Sequence, residues 1–256
     1  MYTPAGMQVF AILPAAGLGT RMAGPLPKSP DEQKPSSGTP PKQFLALDGV
    51  PILIHSLRAF AAVERVTAIF VAVRKAEMER VQAQIAEYAA EYGFQGRVQV
   101  VEGGEKRQES VANALAALKA EADDVVLVHD AVRPLIDAAT IERTIDAVAE
   151  HGAAIVGLPA VDTIKQVERT AHGALITATI PREYVVLAQT PQGFRYGLLK
   201  KAFAEATADG FVGTDEASVV ERAGLPVAVV HGSQVNLKIT QPGDLELAEF
   251  YLKQRR

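Results

Sequence analysis

The chain has 256 residues, 48% of them hydrophobic and 22% charged, with a formal net charge of −4. That balance is ordinary for a globular protein, the length suits one α/β domain, and the acidic sign argues against a general nucleic-acid-binding role, which asks for a basic surface. The absence of cysteine excludes disulfides, thiolate metal sites and a cysteine nucleophile.

No apolar run is long enough to span a membrane, and Met1–Phe10 lacks the pattern of a signal peptide, so a soluble, cytoplasmic protein is expected. Val9–Leu13 reads as the first buried strand. It runs into Leu13-Pro14-Ala15-Ala16-Gly17-Leu18-Gly19-Thr20-Arg21-Met22, a small-residue loop. The next stretch, Ala23 to Pro41, holds six prolines with Ser, Gly, Lys and Asp and no apolar periodicity. It is expected to be a mobile loop over residues 23–41. Pro41-Lys42-Gln43-Phe44 closes it, and Pro51-Ile52-Leu53-Ile54-His55-Ser56 marks a helix start.

Beyond this point apolar runs alternate with helical patterns. Val66–Val73, Val98–Val101, Val125–Val128 and Ala153–Leu158 are short and rich in β-branched residues, as buried parallel strands are. Between them Met78, Val81, Ile85 and Tyr88 recur at helical spacing, as do Val111, Ala114, Leu115 and Leu118, and then Ile141, Ile145 and Val148. Thr163 to Ile180 changes to an alternating pattern around His172-Gly173 and reads as a β-hairpin. Pro242 opens a C-terminal helix. Strand–helix alternation predicts an α/β fold with a doubly wound, mostly parallel, Rossmann-like sheet. Residues 1–256 are expected to form one domain. A β-hairpin arm at about 162–184 is expected to protrude from it and to pack on a second copy, making a homodimer.

In such sheets ligands bind beyond the carboxyl ends of the strands, which directs attention to the loop after the first one. Small residues let a backbone approach a ligand closely, and free N–H groups cradle phosphate oxygens. Arg21 adds charge-assisted bonds, and Lys42 is a second candidate phosphate clamp. Other glycine loops fail: a dinucleotide fingerprint needs glycine where Met22 stands, and Gly19 to Gly24 continues with Pro25-Leu26 instead of the Lys-Ser/Thr of a P-loop. The five histidines show no metal-ligand spacing, so a zinc site is not expected. His129 reads as a packed residue, and Asp215, with Thr214 and Glu216, as a helix start.

These motifs, in this order, resemble those of the cytidylyltransferases that act on 2-C-methyl-D-erythritol 4-phosphate in the non-mevalonate isoprenoid pathway. Gly103-Gly104-Glu105-Lys106-Arg107-Gln108-Glu109-Ser110-Val111 is similar to the family's second glycine motif. Val128-His129-Asp130-Ala131-Val132-Arg133-Pro134 is similar to its acidic motif. Asp162-Thr163-Ile164-Lys165, Thr190-Pro191-Gln192, Thr214-Asp215-Glu216-Ala217-Ser218 and Asn236-Leu237-Lys238-Ile239-Thr240 resemble later ones. The likeness runs from Ile12 to Leu252. It departs from the family between Met22 and Pro41, where this chain is longer than usual.

The resemblance implies transfer of CMP from CTP to 2-C-methyl-D-erythritol 4-phosphate with release of pyrophosphate. The nucleophile, a phosphate oxygen, is already an anion and needs alignment and charge neutralisation rather than a catalytic triad. Arg21 and Lys42 are then the groups at the triphosphate, and Arg182 and Lys238 position the acceptor phosphate. Ala15, Ala16, Gly17, Gly19, Gly104, Glu105 and Ser110 would hold the nucleotide. Asp130, Ala131, Arg133, Thr163 and Thr190 would face the acceptor. Mg²⁺ or another divalent cation is implied, with Asp130 as its protein carboxylate. If the arm crosses a dimer interface, Thr163 and Arg182 complete the neighbour's site. Two other readings stand beside this one: a cytidylyltransferase for ribitol 5-phosphate or another polyol phosphate, and a non-catalytic nucleotide sensor.

Overall fold

A computed structural model describes residues 6–17, 41–171 and 173–255. The expected loop at 23–41 lies outside these residues except for Pro41, and so do Gly19 and Arg21. The first strand, β1 (Val9–Pro14), is followed by a 3-10 turn at Lys42–Phe44, the small hairpin β2 (Ala46–Leu47) and β3 (Val50–Pro51), and α1 (Ile52–Ala61). Then come β4 (Val66–Val73), α2 (Met78–Tyr92), β5 (Val98–Glu102), α3 (Arg107–Ala117), β6 (Val125–Val128), α4 (Ala138–His151) and β7 (Ala153–Pro159). The second half holds β8 (Ile164–Thr170), β9 (Gly173–Ile180), β10 (Val186–Arg195), α5 (Tyr196–Ala208), α6 (Glu216–Arg222), β11 (Ala228–His231) and α7 (Pro242–Gln254).

Seven strands make one sheet in the order β11-β7-β10-β6-β1-β4-β5. β1 pairs in parallel with both β4 and β6, β4 with β5, and β11 with β7. The exception is β10, antiparallel to both β6 and β7. It carries Pro191 and Gly193, residues that weaken a strand signature, and no strand was expected there. The glycine has a packing reason. A methyl group on Gly193 would stand 2.7 Å from Val148 of α4 and 2.8 Å from Leu127 of β6, so α4 lies directly on the backbone of β10.

Two apolar layers sandwich the sheet. One gathers Leu13, Leu53, Leu57, Phe60, Ile141 and Ile145 beneath α1, α2 and α4; the other gathers Ile12, Phe70, Val111, Val128, Phe194 and Leu199 beneath α3, α5 and α6. Leu13 and Ile12 are neighbours on β1 and point into opposite layers, which is why the strand reads as unbroken hydrophobic sequence. The third cluster packs Ala248 of α7, and Ile239 from the segment before it, against Leu47, Ile52 and Leu135. It brings the C-terminal segment back beside the end of β6.

The expected hairpin is present as β8 and β9, which form their own two-stranded sheet. β9 is exposed along its whole length. Among the described residues no helix is long and apolar enough to cross a membrane. Gly193→Ala tests how closely the layers approach: the added methyl is expected to lower the free energy of unfolding by about 1–3 kcal/mol in a urea titration, without changing the fold.

Candidate active site

The carboxyl ends of the parallel strands β1, β5 and β6 lie on one edge of the sheet, and the loops leaving them converge with residues 238–240 from the segment before α7. Hydrogen bonds fix each loop. The Ala15 N–H donates to the Ala72 carbonyl (2.7 Å), and the Gly103 N–H to that of Val73 (2.7 Å). Gln43 Nε2 donates to the Ala15 carbonyl at 2.7 Å, tying the turn that carries Lys42 to the first glycine loop. In the second glycine loop the Ser110 hydroxyl accepts from the Gly104 N–H (3.1 Å), and the Glu109 carboxylate accepts from the N–H groups of Glu105 (3.0 Å) and Lys106 (3.2 Å). A Cβ at Gly104 would meet the Glu109 Cβ at 2.3 Å, so only glycine lets this turn lie on the start of α3.

The loops enclose a cleft of two adjoining lobes, each about 230 Å³. The first is lined by Ala15, Ala16, Gly17, Lys42, Gly104, Glu105, Ser110, Ala131 and Thr240. The second is lined by Arg133, Gln189, Thr190, Gln192, Thr214 and Asp215. Arg107, Asp130 and Lys238 line both. Asp130 is the centre of this shared wall. Its carboxylate accepts from Lys238 at 2.9 Å, Arg133 at 3.2 Å and Arg107 at 3.4 Å. Burial alone would raise this carboxyl, but the charges of Arg107, Lys238 and Arg133 hold it well below the usual carboxylate range. Arg107 also places Nη1 at 2.6 and 2.8 Å from the two carboxylate oxygens of the fully buried Glu216. Burial tends to lower the Arg107 guanidinium; Glu216 and Asp130 raise it above its ordinary value.

Buried polar groups hold the wall in place. Lys42 is buried and donates from Nζ to the Thr240 carbonyl at 2.6 Å. Asn236 donates to the Thr190 carbonyl (2.8 Å) and its own carbonyl accepts from Arg133 Nη1 (2.8 Å), while the Ile239 N–H donates to the Val132 carbonyl (2.9 Å). Lys238 stands between these two anchors. His129, wholly buried, packs on Phe60 with ring centroids 5.0 Å apart. Its Nε2 lies 3.0 Å from the Arg133 carbonyl, which can only accept, so that nitrogen carries the proton. Nδ1 then accepts from the Thr190 hydroxyl (3.0 Å), which in turn accepts from the Asp130 N–H (3.0 Å). The chain of bonds orients the backbone of Asp130 and Arg133 through a neutral imidazole.

The structure brings most of the sequence-predicted residues together. Ala15, Ala16, Gly17, Lys42, Gly104, Glu105, Ser110, Asp130, Ala131, Arg133, Thr190 and Lys238 all line the cleft. Thr163 and Arg182 do not: both are exposed at the arm, and Arg182 Nη1 donates to the Val161 carbonyl. Asp130 was expected to be a metal ligand. Its carboxylate lies in the cleft among three cations, and among the described residues no group of three His, Cys, Asp or Glu is placed to hold an ion by protein ligands alone. Asp215 is the helix cap it was read as, accepting from the Ser218 N–H at 2.9 Å. Arg107, Glu216, Gln43 and Thr240 were not assigned site roles. Arg107 lies in the second glycine motif, yet its pairing with a carboxylate 109 positions away leaves no local signal.

Burial lowers the His129 imidazole to about 4 from an ordinary 6.5. The folded protein therefore holds a neutral ring while the unfolded chain takes up a proton below the ordinary value. Stability from this group is present above 6.5 and is lost as the pH falls toward 4. Between about pH 7 and about pH 4.5 the loss from His129 amounts to about 2 kcal/mol. Urea titrations at both values are expected to show a smaller acid loss in His129→Asn than in the wild type, by about that amount. Equal losses would contradict a neutral buried ring.

Comparison with known proteins agrees with this geometry. A family model described as 2-C-methyl-D-erythritol 4-phosphate cytidylyltransferase matches residues 9–254. A protein of that name from Acidobacterium capsulatum is 68% identical, over 97% of this chain and 99% of its own length. One from Solibacter usitatus is 52% identical, over 97% of each. Among solved structures, the 2-C-methyl-D-erythritol 4-phosphate cytidylyltransferase of Thermus thermophilus is 33% identical with a TM-score of 0.71, covering 96% of this chain and 100% of that one. The 4-diphosphocytidyl-2C-methyl-D-erythritol synthase of Anaerococcus prevotii superposes with a TM-score of 0.77 at 27% identity, covering 97% and 99%.

Proposed function

The chain belongs to the 2-C-methyl-D-erythritol 4-phosphate cytidylyltransferase family, and we propose that its two-lobed cleft carries out the family's reaction with CTP in the first lobe and the acceptor phosphate in the second. The enzyme is a nucleotidyltransferase of isoprenoid biosynthesis: it joins CMP from CTP to 2-C-methyl-D-erythritol 4-phosphate and releases pyrophosphate. The observation that carries the assignment of the lobes is their common wall of Lys238, Arg107 and Asp130. A phosphate entering from either side meets the same cations.

In this reading the cytosine ring lies against Ala15, Ala16, Gly104 and Glu105, where small side chains leave room and fixed backbone groups reject a mismatched base edge. An acceptor phosphate oxygen attacks the α-phosphorus of CTP; the new P–O bond forms as the bond to the bridging oxygen breaks, and pyrophosphate takes the electron pair. Lys42, with Arg21 from the first glycine loop, neutralises charge on the triphosphate. Lys238 meets the phosphates from the wall shared by the lobes, and Arg133 and Thr190 line the acceptor side. These groups act by charge and position, which is what phosphoryl-type transfer asks of a protein.

A divalent cation accompanies the triphosphate. Mg²⁺ prefers oxygen ligands and takes them mainly from phosphates and water with one or two carboxylates. The cleft suits an ion carried in on CTP: Asp130 is an ionised carboxylate, but its oxygens already accept from three cations, so it supplies one ligand at most. When bound, the ion supplies further neutralisation of triphosphate charge. A cytoplasmic site of action accords with a nucleoside triphosphate substrate.

The arm is proposed to pair two copies. Leu175, Ile176, Tyr184 and Leu187 are exposed apolar side chains on or beside it, an arrangement that favours a partner. Thr163 and Arg182 of each arm would then reach the acceptor lobe of the other copy. Mixing Lys42→Ala with Arg182→Ala protein tests this: a mixed dimer regains one intact site, so partial recovery of activity is expected, and no recovery would count against a shared site.

For the chemistry, a pyrophosphate-release assay with CTP and a panel of polyol phosphates is the test. Turnover is expected with 2-C-methyl-D-erythritol 4-phosphate and not with ribitol 5-phosphate. Lys42→Ala and Lys238→Ala are each expected to lower kcat by about a hundredfold or more. Turnover confined to ribitol 5-phosphate would replace the acceptor, and wild-type rates in both variants would remove the proposed charge stabilisation.

A further inference from the structure

Glu216 is a puzzle for stability alone. It is 1% exposed, and both its oxygens are taken by one nitrogen, Arg107 Nη1. A buried ion pair is seldom more stable than apolar side chains of the same volume, since desolvation offsets most of the attraction. Glu216 opens α6 and follows Thr214 and Asp215, which line the acceptor lobe. Arg107 opens α3 and follows Gly104 and Glu105, which line the nucleotide lobe. The pair therefore joins the two halves of the cleft across its shared wall.

A second strap runs beside it. Gln108 Nε2 donates to the Phe211 carbonyl (3.2 Å), and its Oε1 accepts from the Gly213 N–H (2.9 Å). Two consecutive residues of α3 thus grip the segment from Phe211 to Glu216 at both ends. Gly213 is wedged there: a Cβ on it would lie 2.6 Å from the Ser218 hydroxyl. With Nη1 on Glu216 and Nε near Asp130, the guanidinium cannot swing freely. Its Nη2 makes no hydrogen bond among the described residues. The Arg107 side chain is 30% exposed, into the lobes it lines.

We propose that Glu216 is a positioning residue for the transfer reaction: it fixes the Arg107 guanidinium in the wall between the lobes, so that the acceptor-side segment sets where this nucleotide-side cation stands. The proposal rests on the assignment of the lobes made above. Arg107 neutralises phosphate charge, and Glu216 works through it without touching either substrate.

The test is a double-mutant cycle in the pyrophosphate-release assay with CTP and 2-C-methyl-D-erythritol 4-phosphate. Glu216→Gln, of the same shape, is expected to lower kcat roughly tenfold to a hundredfold when assayed well below its thermal midpoint, which falls because Arg107 loses its buried partner. Arg107→Met is expected to do the same, and the double variant to be no slower than Arg107→Met alone. Groups acting separately would instead multiply their losses. Multiplied losses, or a wild-type kcat in Glu216→Gln, would overturn the proposal. If Glu216→Gln does not fold, Glu216→Asp keeps the charge but withdraws it by one methylene. A lowered kcat in that variant is expected, and a wild-type kcat would overturn the proposal equally. Wild-type turnover in the same assay stands or falls with the reading of the reaction, so a normal wild type with multiplied losses strikes only the role of Glu216.

Discussion

Everything in the cleft depends on one buried carboxylate keeping company with three cations. Lys238, Arg133 and Arg107 would repel one another at the separations their common contact with Asp130 imposes, and more strongly in a half-dry cleft than in water. Asp130 makes their convergence tolerable before any substrate arrives. In the proposed reading, phosphates entering the lobes meet positive groups that are already in place, as electrostatic preorganisation requires.

The fold explains how residues so far apart in sequence reach this point. Parallel pairing of β1 with β4 and β6 aligns three strand ends on one edge of the sheet. The segment carrying Lys238 is drawn to the same edge by α7, whose Ala248 packs with Ile239 against Leu47 and Leu135. Asn236 and the Ile239 N–H then pin it to β10 and to the loop after β6. Strand β10, running against its neighbours, contributes Thr190 to the second lobe and, through its contact with His129, steadies the backbone of Asp130. Packing and catalysis are thus not separable at this edge.

Much of this was legible in the sequence, for physical reasons. Val66–Val73 and Val125–Val128 begin and end as their apolar runs do, because strands buried on both faces are almost continuously apolar, the exposed Thr67 near the start of the first being the one polar position in them. The loops after such strands hold ligands in doubly wound sheets, so Ala15, Gly104 and Asp130 could be placed before any coordinates. Strand β10 escaped because Pro191 and Gly193 mask it. The roles of Arg107 and Glu216 escaped because their contact joins the starts of two helices that only tertiary packing brings together. Thr163 and Arg182 belong to the exposed arm and lie outside the cleft of the single chain.

The most direct test of the central claim is a crystal structure with a non-hydrolysable CTP analogue and 2-C-methyl-D-erythritol 4-phosphate bound together. The account predicts the base beside Ala16 and Gly104, and the α-phosphate and acceptor phosphate meeting at the wall formed by Lys238, Arg107 and Asp130. Two phosphates bound well apart, or both on the same side of that wall, would contradict it.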